Sequence, residues 1–185
     1  MTASVLVRVT DFGRVQTTLI PVQSGVYALL LRLPGNRRIH TGRLGEFVFP
    51  SGDYVYIGSA LGPGGLRARL EHHLRDGKKA HWHIDYLRAW ADVLGCLYMV
   101  NNKSLGHSIL PPMECCWSQA VARLPGGKIP VVGFGSSDCR SGCQSHLIAY
   151  ELGWLTEYPD ILKEALLNLN IYETIGTFQV LPEVK

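Results

Sequence analysis

The sequence predicts an α/β chain of the α+β type, with a small, mostly antiparallel central sheet flanked by helices. Three observations lead there. Short apolar segments separated by glycine and proline turns run from Gly25 to Ile57 and read as a meander of strands. Leu66, Leu70 and Leu74 then recur at i, i+4 and i+8, the stripe of a helix packed on a sheet. Further strand-like and helix-like segments alternate to Leu169.

Taken in order, Val5 to Val9 and Arg14 to Ile20 read as a hairpin turned at Asp11-Phe12-Gly13 and ended by Pro21. Gly25 to Leu31 is almost wholly apolar, as a strand buried on both faces would be. Pro34-Gly35-Asn36 is a turn, with short strands at Arg37 to Thr41 and Glu46 to Phe49. Pro50-Ser51-Gly52-Asp53 leads into a strand at Tyr54 to Ile57, broken by Gly58. Helices are expected from Gly65 to Arg75, Trp82 to Ala91, Glu114 to Leu124 and Pro159 to Leu169. Strands are expected at Leu94 to Val100 and His146 to Leu152. Residues 130–143 are a glycine- and serine-rich loop, and Ile171 to Lys185 fits no single pattern.

With 185 residues, 46% hydrophobic and 18% charged, the chain has core material for one domain and is not of disordered composition. A net charge of +3 requires any basic, nucleic-acid-binding surface to be local. No apolar run reaches the roughly 20 residues of a membrane span. The first residues lack the basic-then-apolar pattern of a secretory signal, and the five cysteines are an odd count. A cytoplasmic chain with reduced thiols and no membrane contact is therefore expected.

The stretch Tyr54 to Asp85 concentrates the chemistry. A tyrosine-bearing strand ends in glycines, and the following helix carries Arg67, Arg69, His72 and His73. Arginine and histidine suit a phosphate's charge, and tyrosine can move a proton if its ordinary pKa near ~10 is lowered. Arg69 and His73, four apart, share a helix face. His81, His83 and Asp85 have the residue types of metal ligands; a His–carboxylate pair that fixes a helix start is the preferred reading. Glu114 stands at the start of a helix, where it suits either the helix dipole or a magnesium ion. Cys139, Cys143 and His146, with Cys115 or Cys116, have a spacing unlike a standard zinc pair, so zinc is not expected and buried reduced thiols are.

Gly25-Val26-Tyr27, Tyr56-Ile57-Gly58, Arg69, His73 and Glu114, in that order, resemble the GIY-YIG nuclease superfamily. The segments Tyr54 to Gly62, His81 to Leu87 and Gly133 to His146 are most similar to an uncharacterised branch sometimes fused to endonuclease III. The likeness covers about residues 24–150, a core with an N-terminal hairpin and a C-terminal helical extension in a single domain, 1–185. The resemblance implies hydrolysis of DNA phosphodiester bonds with one Mg²⁺ or Mn²⁺. Tyr27 and Tyr56 would be the paired tyrosines, one of them taking the proton of the attacking water. Arg69 would steady the phosphate, His73 would assist proton transfer, and Glu114 would hold the metal. Arg67, Arg69, Lys78, Lys79, Ser136 and Ser137 would contact nucleic acid. Two departures stand out: 28 residues separate Tyr27 from Tyr56, and Ser136, Ser137 and Asp138 stand where the superfamily often has a late asparagine. The alternatives are a nucleic-acid-binding module without catalysis and an interaction domain that keeps the fold.

Overall fold

The computed structural model describes residues 20–101, 112–169 and the backbone of 175–176. The strands are β1 (Gly25–Leu33), β2 (Arg37–His40), β3 (Glu46–Phe49), β4 (Gly52–Ala60), β5 (Asp92–Val100), β6 (Leu147–Tyr150) and β7 (Ile175–Gly176). The helices are α1 (Gly65–Leu74), α2 (His83–Arg88), α3 (Met113–Ala122), α4 (Trp154–Glu157) and α5 (Pro159–Leu167). The expected hairpin over Val5 to Val9 and Arg14 to Ile20 lies, but for Ile20, outside the described residues.

β1 is the middle of the main sheet because it is apolar on both faces. It pairs antiparallel with β4 from Gly25↔Ala60 to Leu33↔Gly52, and on its other side with β5. β6 joins β4 and β7 joins β5, giving the order β6-β4-β1-β5-β7. Side chains alternate between two apolar layers, as the period of a strand requires. Tyr27, Leu29 and Leu31 of β1, with Tyr54 and Tyr56 of β4, pack on Leu66 and Leu70 of α1 and Ile84 and Leu87 of α2. Val26, Ala28 and Leu30, with Val55 and Ile57, pack on Trp117 and Val121 of α3 and Leu162 and Leu166 of α5. The fold is thus the expected mixed α/β arrangement, an antiparallel sheet flanked by helices.

Three expectations change. The strands from 25 to 57 do not form one meander: β2 and β3 pair only with each other, as a separate two-stranded sheet, and β4 passes them to pair with β1. The two hairpin strands are too short and too polar outward to join a sheet buried on both faces. α2 is shorter than expected, because the chain turns at Ala89 to begin β5 at Asp92. α4 was not expected, and it starts at Gly153 in the left-handed region. No helix among the described residues is long and apolar enough to cross a membrane.

One partly buried ion pair ties three elements together. Asp53 of β4 is fully buried and accepts from Arg32 of β1 through Nε at 2.8 Å and Nη2 at 3.0 Å. It also accepts the Leu155 backbone N–H of α4 at 2.9 Å. Removing one member of such a pair leaves a desolvated charge or an unmet amide. Asp53→Ala is expected to cost about 3 kcal/mol in urea unfolding. A loss below about 0.5 kcal/mol, the range of ordinary surface changes, would contradict this account of the β1–β4–α4 joint.

Candidate active site

The strand register sets Tyr27 directly across from Gly58. A Cβ at Gly58 would lie 2.4 Å from the Tyr27 hydroxyl, so the Tyr27 ring crosses β4 only because residue 58 is glycine. Tyr56 of β4 lies on the same face, its ring 6.4 Å from that of Tyr27. Gly135, in the left-handed region at φ +70°, packs against Tyr56 from the loop before β6, where a Cβ would come within 2.8 Å of the ring. His73 of α1, buried among these rings, meets the Tyr27 hydroxyl through Nε2 at 2.8 Å.

Behind His73 stands Asp85, also buried. Its Oδ1 receives His73 Nδ1 at 3.3 Å and the Lys78 ammonium. Its Oδ2 receives His72 Nε2 at 3.2 Å and the backbone N–H groups of His81 at 2.9 Å and Trp82 at 3.0 Å. Burial alone would raise the Asp85 carboxyl, but the hydrogen bonds from His73, Lys78 and the two amides outweigh it and hold it far below the carboxylate range. Burial lowers the pKa of His73, against the opposing pull of Asp85, so its imidazole is neutral. An ionised carboxylate only accepts, so Nδ1 of the neutral ring carries the hydrogen and Nε2 accepts from Tyr27. The result is a directed chain, Tyr27 O–H to His73 to Asp85.

Arg69 and Glu114 complete the group. The Arg69 guanidinium lies over the Trp82 ring, 3.9 Å from its centroid, and no carboxylate among the described residues pairs with it. Glu114, in the first turn of α3 and half-buried, is likewise in no salt bridge with a described residue. Burial raises Tyr27 and Tyr56 well above the ordinary phenol value. Arg69 lowers both and Glu114 raises both, so each charge acts on both hydroxyls. Of the five residues expected to act in catalysis, Tyr27, Tyr56 and His73 are in contact, while Arg69 and Glu114 lie near enough for their charges to act on both tyrosines.

The expected nucleic-acid contacts are less uniform. Arg67 donates through Nε to the Ile20 carbonyl at 2.8 Å and so helps tie the chain before β1 to α1. Lys78 is turned inward, bonded to Asp85 and to the His72 carbonyl. Lys79 and Ser137 are exposed, while Ser136 is buried with its hydroxyl unpartnered among the described residues. Asp85 does cap α2, as expected, but its imidazole partners are His72 and His73 and not His81 or His83. His83 instead accepts the Gly135 N–H at 3.1 Å, and His81 packs on Trp82. Sequence reasoning singled out Asp85 but not its place behind His73, and it missed the stacking of Trp82 under Arg69.

A second cluster adjoins the first. Cys115, the neighbour of Glu114 on α3, meets Cys139, Cys143 and His146 from the loop before β6, with all four ligand atoms within 4.8 Å of one another. Metal-free thiols were expected because the Cys139, Cys143 and His146 spacing is not that of a standard zinc pair; of the two candidates Cys115 and Cys116, the fold brings Cys115 to the cluster.

A family model described as a domain of unknown function, DUF123, matches residues 26–166. The match covers well over half of the chain, which belongs to this family. No curated protein and no solved structure matches it.

The buried, neutral His73 sets a pH dependence. Its folded pKa lies below the unfolded value near ~6.5, so the stabilisation is complete above that pH and is lost as pH falls through the folded value. Asp85 has the same sign, lost below the unfolded carboxylate value near ~3.9. Thermal scans of the protein and of His73→Gln are expected to diverge on acidification below about pH 6.5, the protein falling more steeply. Parallel curves would mean that His73 is not held neutral.

Proposed function

We propose that this member of the DUF123 family is a divalent-metal-dependent DNA endonuclease of the GIY-YIG type, cutting phosphodiester bonds at the Tyr27–Tyr56 site. The observation that carries the reading is a pair of buried tyrosines in ring contact, one bonded to a His–Asp pair, with the charges of Arg69 and Glu114 acting on both. The order of these residues along the chain matches the superfamily's motifs.

Tyr27 is a phenol at neutral pH, too weak a base to act unaided. As the attacking water gives a proton to the Tyr27 oxygen, Tyr27 would pass its own to His73 Nε2, and Asp85 would hold the imidazolium that forms. The Arg69 fork, steadied on Trp82, neutralises a non-bridging phosphate oxygen. Glu114 suits a hard cation: one half-buried carboxylate outside any described salt bridge leaves the other positions to water and phosphate oxygens. A divalent ion held there would polarise the phosphoryl oxygen and help form hydroxide near neutral pH. Asp85 is excluded from that role, because both of its oxygens are saturated by donors.

The test is cleavage of a panel of plasmid, nicked and branched DNA with Mg²⁺, Mn²⁺ or EDTA. Metal-dependent cutting is expected, and Glu114→Gln is expected to abolish it while circular dichroism and DNA binding stay near normal. Arg69→Lys is expected to lose about 10²-fold or more in rate, close to Arg69→Ala, because a point charge does not replace a bidentate fork. Salt-sensitive binding with no cutting under any metal would replace the enzyme with a binding module.

A further inference from the structure

We propose that Cys115, Cys139, Cys143 and His146 form a closed tetrahedral zinc site that locks the loop before β6 onto the start of α3. Two independent observations meet here. The first is geometric: the four ligand atoms lie within 4.8 Å of one another. Zinc with Zn–S near 2.3 Å and Zn–N near 2.0–2.1 Å needs ligand atoms roughly 3.6–3.8 Å apart, and a small side-chain adjustment meets that. Cys115 and Cys139 have their sulfurs 3.4 Å apart, far beyond a disulfide bond of about 2.05 Å, and all the cysteines are free thiols. The second is an unmet polar group: His146 is buried, yet its Nε2 has no hydrogen-bond partner among the described residues. A buried imidazole nitrogen is rarely left so unless something else fills its lone pair.

The ligand set names the metal. Three thiolates and an imidazole select a soft or borderline ion in tetrahedral geometry, and they disfavour magnesium or manganese. Four protein ligands leave no open position, so the role is structural. The ion would sit beside the candidate active site without entering its chemistry. Cys115 follows Glu114 directly, and the loop from Val131 to His146 brings Gly135 against Tyr56 and His83. Fixing this loop on α3 holds Glu114 and Tyr56 in register with each other. The loop's own hydrogen bonds, such as Gly133 N–H to the Gln144 carbonyl and His146 N–H to the Phe134 carbonyl, give it the compact turns that bring Cys139 and Cys143 back to one point.

The test reads metal, with no DNA present, so it stands or falls apart from the nuclease reading. Untagged protein, expressed with zinc and dialysed free of loose metal, is analysed by plasma mass spectrometry. One zinc per chain is expected in the unmutated protein and in Cys116→Ser, a neighbour outside the cluster. Cys139→Ser and Cys143→Ser are each expected to fall well below half. Because those variants could also unfold, cobalt is exchanged into the unmutated protein, where intense thiolate-to-cobalt and tetrahedral ligand-field bands are expected. Substoichiometric zinc, an octahedral cobalt spectrum, a Cys115–Cys139 disulfide in the metal-free protein, or zinc loss in Cys116→Ser would each overturn the proposal.

Discussion

The candidate site depends on one buried carboxylate. Asp85 carries a full charge inside the protein, which is tolerable only because His72, His73, Lys78 and two backbone amides all donate to it. Those donors come from the end of α1, the loop after it and the turn that opens α2. The carboxylate therefore fixes how the two helices meet as well as how His73 is oriented. His73 in turn fixes the Tyr27 hydroxyl at 2.8 Å. Trp82, whose amide binds Asp85, presents its ring to Arg69. One desolvated anion thus orders the Tyr27–His73 hydrogen bond and the ring on which Arg69 lies.

The sheet supplies what Asp85 cannot. Alternation along β1 and β4 puts the tyrosines on the α1–α2 side and reserves the other face for Trp117, Val121, Leu162 and Leu166. Glu114 stands in the first turn of α3, and its charge acts on both tyrosines. Room for two aromatic rings and a histidine comes from missing side chains, at Gly58 beneath Tyr27 and at Gly135 beside Tyr56. A methyl group at either place would displace the ring it faces, which makes these glycines part of the site.

Much of this was legible in the sequence. An unbroken apolar run is a reliable sign of a strand covered on both faces, and Gly25 to Leu31 became the middle of the sheet. Local spacing on α1 put Leu66 and Leu70 in the core and Arg69 and His73 at the site. What the sequence hid depends on contacts between distant elements. The strands at Arg37 to His40 and Glu46 to Phe49 have strand composition, but composition does not say which partner they choose. Asp85 looked like a local helix cap, and it is one; its second task appears only when α1 folds over α2. The sequence grouped Cys139, Cys143 and His146 with Cys115 or Cys116, but spacing could not say which of the two α3 would turn to the loop.

The central claim is that Asp85 polarises a neutral His73 that accepts from Tyr27. The most direct measurement is the tautomer of His73, read by long-range proton–nitrogen correlation in ¹⁵N-labelled protein. The account requires a neutral ring at neutral pH with hydrogen on Nδ1 and a bare Nε2, and a loss of that preference in Asp85→Asn. A ring protonated on Nε2, or a doubly protonated imidazolium at neutral pH, would contradict it.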